Sequence, residues 1–383
     1  MDTVLFFQRL NSSAARRRLE GLGMFAHEVG WNIQCQSELV TESELQELID
    51  FWRPIGTVLS TNDRHTEYNT DLFSPENTVL QDCYPPKGLE RYAMVTTDSA
   101  AATEIALREL VGRKCAVYGF IPWPIKYLWS ENRRLHFLRL TEKYGLNAKV
   151  FNSTDTWPNV AALQKELAAW LGSLPRPMGI LAANDIVGAN VLTACHVAGI
   201  SVPFECQVVG FDDDEAICEG ASPTLSSVRL DFRTAGYRAG ELLHKLISGQ
   251  LSGKPLVSVP PLGFMRRGSS RLFLQTDRHA LKASEMILAK ACEGLRAKDV
   301  LSVFPCSRRL AEMRFRKATG RSVLEEIRAV RIKKAKRLLA DRRCELSVIA
   351  NMCGYDSDTT FRRVFREETG MTMREWRRMH AAG

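Results

Sequence analysis

Leu346-Ser-Val-Ile-Ala-Asn-Met-Cys-Gly-Tyr355-Asp-Ser-Asp-Thr-Thr-Phe-Arg-Arg-Val-Phe365 reads as two short helices around one turn. The first helix runs into Gly354, which can take the left-handed conformation that turns a chain. Ala350 is small where two helices must cross closely. Ser357 is a natural N-cap for the second helix. On that helix Phe361, Val364 and Phe365 face inward and leave Asp358, Thr359, Arg362 and Arg363 outward. An apolar inner face under a polar, arginine-bearing outer face is the form of a helix that enters a major groove.

The end of this stretch has an earlier copy. Phe315-Arg-Lys-Ala-Thr-Gly-Arg-Ser322 returns as Phe365-Arg-Glu-Glu-Thr-Gly-Met-Thr372, fifty residues on, and Ser307 precedes the first copy as Ser357 precedes the second. A repeat at fixed spacing predicts one supersecondary unit used twice. Between the copies a helix is expected from Val323 to Leu339, with Leu324, Ile327, Val330 or Arg331, Ala335 and Leu338 on its apolar stripe.

Charge follows the same division. The chain has 383 residues and a net charge of +8. From Ser284 onward there are 23 Lys and Arg against 13 Asp and Glu, a net of +10, which leaves −2 for everything before. A near-neutral body with a basic end predicts that only the end meets a polyanion.

The body, 1–268, alternates apolar strands with amphipathic helices. Strands are expected at Val4–Phe7, Trp31–Cys35, Thr57–Leu59, Cys115–Phe120, Gly179–Ala182 and Gln207–Gly210. Helices are expected at Ala14–Val29, Glu42–Trp52, Ala100–Val111, Glu131–Tyr144, Val160–Leu171 and Ile186–Ala198. That alternation predicts parallel sheets covered by helices, and the length suffices for two lobes. Residues 269–283 are expected to be a linker. No apolar run approaches the roughly 18 residues of a membrane helix. The first residues carry an acid and no basic region, so they read as a strand and not as a signal peptide. The ten cysteines lack CxxC spacing and nearby histidine pairs, and are expected to be reduced thiols with no metal site, in a cytoplasmic protein.

Residues 284–383 resemble the DNA-binding domain of the AraC family of transcription regulators. The match is carried by Ser307-Arg-Arg-Leu310, Phe315-Arg316, Thr319-Gly320, Arg331 with Ala335 and Leu338-Leu339, Ile349-Ala350, Cys353-Gly354-Tyr355, Ser357, Phe361, Phe365, Gly370 and Trp376-Arg377. The resemblance implies two helix-turn-helix units joined by the long helix, with operator DNA as partner. It places Arg308, Arg309 and Glu312 of the first unit, and Thr359, Arg362 and Arg363 of the second, against DNA. An arginine fork can grip guanine or a phosphate. Met313 stands where the family commonly has a polar residue, and Phe304-Pro305 replaces a glycine turn.

The body resembles the effector domain of LacI/GalR-type repressors, a periplasmic-binding-protein-like fold. The match is carried by Ile180-Leu-Ala-Ala-Asn-Asp-Ile-Val-Gly-Ala-Asn190, Gly199-Ile-Ser-Val-Pro203 and Val208-Val-Gly-Phe-Asp-Asp-Asp214. Thr97-Asp98-Ser99 and Trp129-Ser-Glu-Asn-Arg-Arg-Leu-His-Phe137 are consistent with it. Such domains bind small ligands between lobes, outside the carboxyl ends of strands. The resemblance implies Asp98, Arg133, Asn184 and Asp212 as the hydroxyl-binding set, Trp129 or Trp123 as a stacking face, and Gln8 as a further contact. Asp185 and Asp213 read as helix-capping or turn residues.

The whole chain thus reads as an α/β two-lobed periplasmic-binding-protein-like domain followed by an all-α domain with two helix-turn-helix units. That order resembles the xylose operon regulators, which makes a pentose the first-choice effector. The expected function is a sugar-controlled regulator, an activator by the same resemblance. It needs no cofactor, is a homodimer, and has RNA polymerase as a possible further partner. A sugar-processing enzyme and a constitutive DNA-binding protein are the alternatives; the cleft residues contain no nucleophile–base pair.

Overall fold

The computed structural model describes residues 2–36, 42–60, 73–82, 92–112, 114–124, 127–152, 160–251, 255–271, 278–340 and 344–380. The chain divides into two compact units, Met1–Arg271 and Leu272–Gly383.

The first unit holds two lobes, each built on one six-stranded sheet. The chain opens in the first lobe with β1 (Thr3–Phe7), α1 (Ser13–Val29), β2 (Asn32–Gln36), α2 (Glu42–Trp52), β3 (Gly56–Leu59), β4 (Thr78–Gln81) and β5 (Ala93–Thr97). It crosses to the second lobe for α3 (Ser99–Val111), β6 (Val117–Ile121), α4 (Leu128–Lys143), β7 (Ala148–Val150), α5 (Val160–Ser173), β8 (Met178–Ala182), α6 (Asp185–Val197), β9 (Cys206–Phe211), α7 (Glu215–Gly220) and β10 (Ser226–Arg229). It returns through α8 (Phe232–Ile247) and β11 (Leu256–Val259), then crosses once more for β12 (Gly263–Met265).

Sheet order is β11-β5-β4-β3-β1-β2 in the first lobe, every pair parallel. In the second it is β12-β10-β9-β8-β6-β7, with only β12 antiparallel. Strands covered on both faces need near-continuous apolar sequence. β1, β3, β8 and β9 are buried from end to end.

Helices α1 and α8 lie against each other through glycine. A Cβ on Gly21 would sit 1.9 Å from the Arg233 carbonyl oxygen, and one on Gly236 would sit 1.9 Å from that of Arg18. This contact fixes α1 over the sheet and sets the position of Arg18.

The sequence reading leaves 73–98 and 226–265 without strands or helices; β4, β5, β10, β11, β12 and α8 lie there. β4, β10, β11 and β12 have only three or four residues, and the inward stripe of α8, Phe232, Ala235, Gly236, Ala239, Gly240, Leu242 and Leu243, is built partly of alanine and glycine, which carry a weak apolar signal. The expected linker, 269–283, is shorter than read. Ser269 and Ser270 are fully buried in the first unit. Ala280 and Ala283 belong to the core of the second, on α9 (Arg278–Lys290).

After α9 come a 3-10 turn at Ala291–Glu293, α10 (Ala297–Leu301), α11 (Arg308–Thr319), α12 (Val323–Ala340), α13 (Leu346–Met352), α14 (Asp358–Thr369) and α15 (Met373–His380). Helix α12 serves two cores in succession. Val323, Ile327 and Val330 pack with Phe304 and Phe315; Ile332, Ala335 and Leu339 pack with Phe361 and Phe365. Its stripe therefore starts at Val323, and Leu324, read as apolar-facing from sequence, is half exposed. The fold class is the expected one: a two-lobed α/β unit and an all-α unit.

Candidate functional site

The carboxyl ends of the parallel strands gather the polar residues of the first unit. Arg133, on α4, is the most constrained. Its Nη1 donates to the Ala183 carbonyl at 2.5 Å and its Nη2 to Asp212 Oδ1 at 3.4 Å. The guanidinium lies 5.0 Å from the Trp129 ring centre and 4.8 Å from that of Phe211. It is 2% exposed, and among the described residues its Nε has no partner. A cation in contact with two rings and fixed by two acceptors is pre-organised to present its remaining N–H groups.

Asp212 directly follows β9, as the sequence predicts. Its φ is +103°, and that of Asp213 is +52°. Two consecutive non-glycine residues in the left-handed region cost about 1–3 kcal/mol each and persist only where surroundings hold them. Burial pushes the Asp212 carboxyl up to about 6, with Arg133 and then Arg18 opposing the shift. Asp185, at the start of α6, is more deeply buried. Burial and then the Asp212 charge drive its carboxyl well above the usual carboxylate range. It accepts from Ser227 Oγ at 2.6 Å and from the Asp214 backbone at 2.8 Å.

The other expected residues are placed as follows. Asn184 caps α6, its Oδ1 accepting from Val187 N at 3.0 Å; among the described residues its amide nitrogen has no protein acceptor. Asp98 caps α3, its Oδ1 accepting from Ala101 N at 2.9 Å. Gln8, at the end of β1, is buried with Oε1 unpartnered, and so is Ser60 Oγ at the end of β3. Trp129 sits 6.0 Å from Trp123 and 5.8 Å from Tyr127, ring centre to ring centre. Trp123, the alternative stacking face, is partly buried against both cores of the second lobe.

The sequence reading misses a buried ion pair in the first lobe. Arg18 of α1 pairs with Asp82, just beyond β4, and lies 4.9 Å over the Phe232 ring. Asp82 also accepts from Thr97 N at 3.0 Å. The signal for Arg18 was present: it falls in helical phase with Ala15, Leu22 and Phe25, where a charge is out of place unless paired. Asp82 gave less, because β4 has only four residues.

In the second unit the fifty-residue repeat survives to individual hydrogen bonds. Ser307 caps α11 through Leu310 N and Ser357 caps α14 through Thr360 N. Thr319 Oγ1 donates to the Phe315 carbonyl and Thr369 Oγ1 to that of Phe365. Both helices close on a left-handed glycine, Gly320 and Gly370. Reciprocal capping boxes follow, Ser322 with Glu325 and Thr372 with Glu375.

Arg308, Arg309, Thr359, Arg362 and Arg363 are all exposed, on α11 and α14. Arg362 pairs with Asp358, and Arg363 with Glu367, each at 2.6 Å across one turn. Glu312 departs from expectation: its Oε1 accepts from Val323 N at 3.0 Å. It caps the start of α12 and is half-exposed.

Arg331 braces this unit. It donates to the Ala291 and Leu295 carbonyls at 2.8 and 3.0 Å and lies 4.9 Å over Tyr355. Gly354 has φ +76°, and a Cβ there would meet the Cys292 backbone at 2.8 Å. Both its conformation and its neighbour require glycine.

Among the described residues no cluster of His, Cys, Asp or Glu is arranged to hold a metal, and no helix is long and apolar enough to cross a membrane.

A periplasmic binding protein-like domain family matches residues 106–270, and a helix-turn-helix domain family matches 301–379. The chain is similar to the xylose operon regulatory protein of Haemophilus influenzae, with 30% identity over 375 residues, 94% of each chain. It is 29% identical to that of Escherichia coli K12 over 387 residues, 98% of this chain and 96% of that one. A solved structure described as the xylose-binding transcription activator xylR superposes with a TM-score of 0.75 at 26% identity, covering 99% of this chain and 98% of that one.

Proposed function

The chain belongs to the xylose operon regulatory proteins, a family of sugar-sensing, DNA-binding transcription regulators, and from that membership we propose that its own effector is D-xylose. The observation that carries the reading is Arg133, buried, in contact with the Trp129 and Phe211 rings and paired with Asp212 just beyond β9. A pentose offers a ring of adjacent hydroxyls and no charge. Such a ligand needs paired donors and acceptors plus a flat apolar face. Arg133 and Asn184 supply donors, Asp212, Asp98 and Gln8 supply acceptors, and Trp129 supplies the face. Arg18 of the first lobe acts on Asp212 of the second, so a ligand engaging both favours one arrangement of the lobes.

In the second unit Arg308, Arg309, Thr359, Arg362 and Arg363 contact operator DNA, and Glu312 is assigned to helix capping. The description of the solved relative as a xylose-binding transcription activator supports activation with D-xylose bound; we further infer a homodimer in the cytoplasm that works with RNA polymerase. Residues 1–271 sense and 278–380 read DNA.

A thermal-shift comparison of D-xylose, L-arabinose, D-ribose and D-glucose on the full chain tests this. A ligand that binds the folded state alone raises its melting temperature. We expect the largest rise with D-xylose, abolished in Asp212→Ala. No rise with any pentose would remove the sugar assignment.

A further inference from the structure

The two proposed sugar contacts Asn184 and Asp212 are each followed by an aspartate, and both aspartates enter one buried network. Asp185 accepts from Ser227 Oγ at 2.6 Å. The same oxygen accepts from Asp213 N at 3.0 Å. The Asp213 carboxylate takes Arg229 Nε at 2.8 Å and Arg267 Nη2 at 2.8 Å. Arg267 ends the path, donating further to Glu219 at 2.8 Å and the Leu225 carbonyl at 3.1 Å. The side chains of Arg267 and Asp213 are 9% and 6% exposed.

Arg267 also begins the last stretch of chain before the helical unit, and that stretch is fastened to the same elements. Arg267 N donates to Ser226 Oγ at 2.8 Å. Val208 N donates to the Ser269 carbonyl at 3.0 Å, and Ser269 Oγ to the Val208 carbonyl at 2.6 Å. Strand β9 therefore carries the departing chain at Val208 and the cleft at Asp212, about 13 Å apart along a rigid strand. Between network and cleft lies the doubly left-handed turn Asp212–Asp213. Ser227, Arg229 and Arg267 hold the Asp213 side of this turn, while Arg17 of the first lobe donates to the Asp212 and Asp213 carbonyls at 3.5 and 3.4 Å.

We propose that Arg267 is a positioning residue: it reads the conformation of the Asp212–Asp213 turn and passes it to the segment leading into the DNA-binding unit. This rests on the reading that a sugar engages Asp212. A ligand that draws Asp212 into the cleft shifts Asp213, and with it the guanidinium anchored on the departing segment. A buried pair broken on one side leaves a charge uncompensated, so the two ends move together. Coupling of this kind is reciprocal, sugar altering DNA affinity and DNA altering sugar affinity by the same factor.

The test uses the full chain and a DNA duplex enriched on wild-type protein from a random pool with D-xylose present. Duplex affinity is measured with and without D-xylose, and D-xylose affinity by calorimetry. The variants are Arg267→Met and Asp213→Asn, the second of which keeps Arg267 paired with Glu219 and serves if the first does not fold. We expect D-xylose affinity within about threefold of wild type, and a sugar effect on DNA affinity that collapses to less than about twofold. Retention of the wild-type sugar effect in Asp213→Asn overturns the proposal. So does a parallel loss of D-xylose affinity, which makes the network a support of the pocket only. A wild-type chain that takes up no D-xylose removes the sugar reading and this proposal with it, whereas unchanged uptake with intact coupling in the variants removes this proposal alone.

Discussion

Gly210 has no side chain because the Asp185 carboxylate occupies the space: a Cβ there would lie 2.3 Å from Asp185 Oδ1. The glycine is not needed for its backbone freedom. It lets a buried acid from α6 rest on β9, where it meets Ser227 and borders Asp212.

Gly210→Ala therefore has to displace a buried, hydrogen-bonded carboxylate. Overpacking of a filled core costs about 1–3 kcal/mol, and the displaced acid adds to it. Urea unfolding of the full chain should show the loss in its first transition. A midpoint equal to wild type would mean that Asp185 can leave without cost.

The Asp212 carboxyl gives a pH dependence with a definite sign. Its folded value is raised to about 6 from 3.8, by burial first. The folded state then binds more protons than the unfolded state between those values, so this group makes stability fall as pH rises through that window. Asp212→Asn should flatten the stability profile between pH 4 and 6. Sugar affinity should move the other way. A sugar hydroxyl donates best to the ionised acid, so D-xylose affinity should drop about tenfold from pH 7 to pH 5. Asp185, Asp214, Arg133 and Arg18 all act on this site, and an unchanged profile in Asp212→Asn would assign the dependence to Asp185.

Much of this was legible in the sequence because it depends on local signals. Serine caps and glycine closures fix α11 and α14, and long apolar strands fix β1, β8 and β9. Asp212 was readable because it follows an obvious strand. Arg18 could be seen to need a partner, but the partner's identity, Asp82 sixty-four residues away, could not. The capping bond of Glu312 was hidden for a related reason. Its spacing in α11 suits an outward side chain, and only the position of the Val323 N–H across the turn draws it elsewhere. The end of the first unit at Arg271 was hidden because Ser269 and Ser270 are polar yet buried, satisfied by Val208, Ser226 and Glu109.

Arg362 and Arg363 are both tied to acids one turn away, Asp358 and Glu367. Exposed pairs of this kind are worth a few tenths of a kcal/mol. DNA can therefore take either guanidinium at little cost. Arg363→Ala should weaken binding to the selected duplex by about 1–3 kcal/mol and leave random DNA nearly unaffected. Equal losses on both would make Arg363 a phosphate contact.

Glu312 separates capping from DNA contact in a single variant. Its carboxylate satisfies the first free N–H of α12, the helix that both helix-turn-helix cores share. Loss of a cap costs about 1 kcal/mol. Glu312→Ala should lower the unfolding midpoint of the helical unit by that amount, while duplex affinity at temperatures well below the transition stays within about threefold of wild type. Glu312→Gln keeps an oxygen acceptor and should recover much of the stability, because the cap needs a lone pair more than a charge. If Glu312→Ala instead leaves stability untouched and reduces duplex affinity, the side chain swings out on binding and the capping assignment fails.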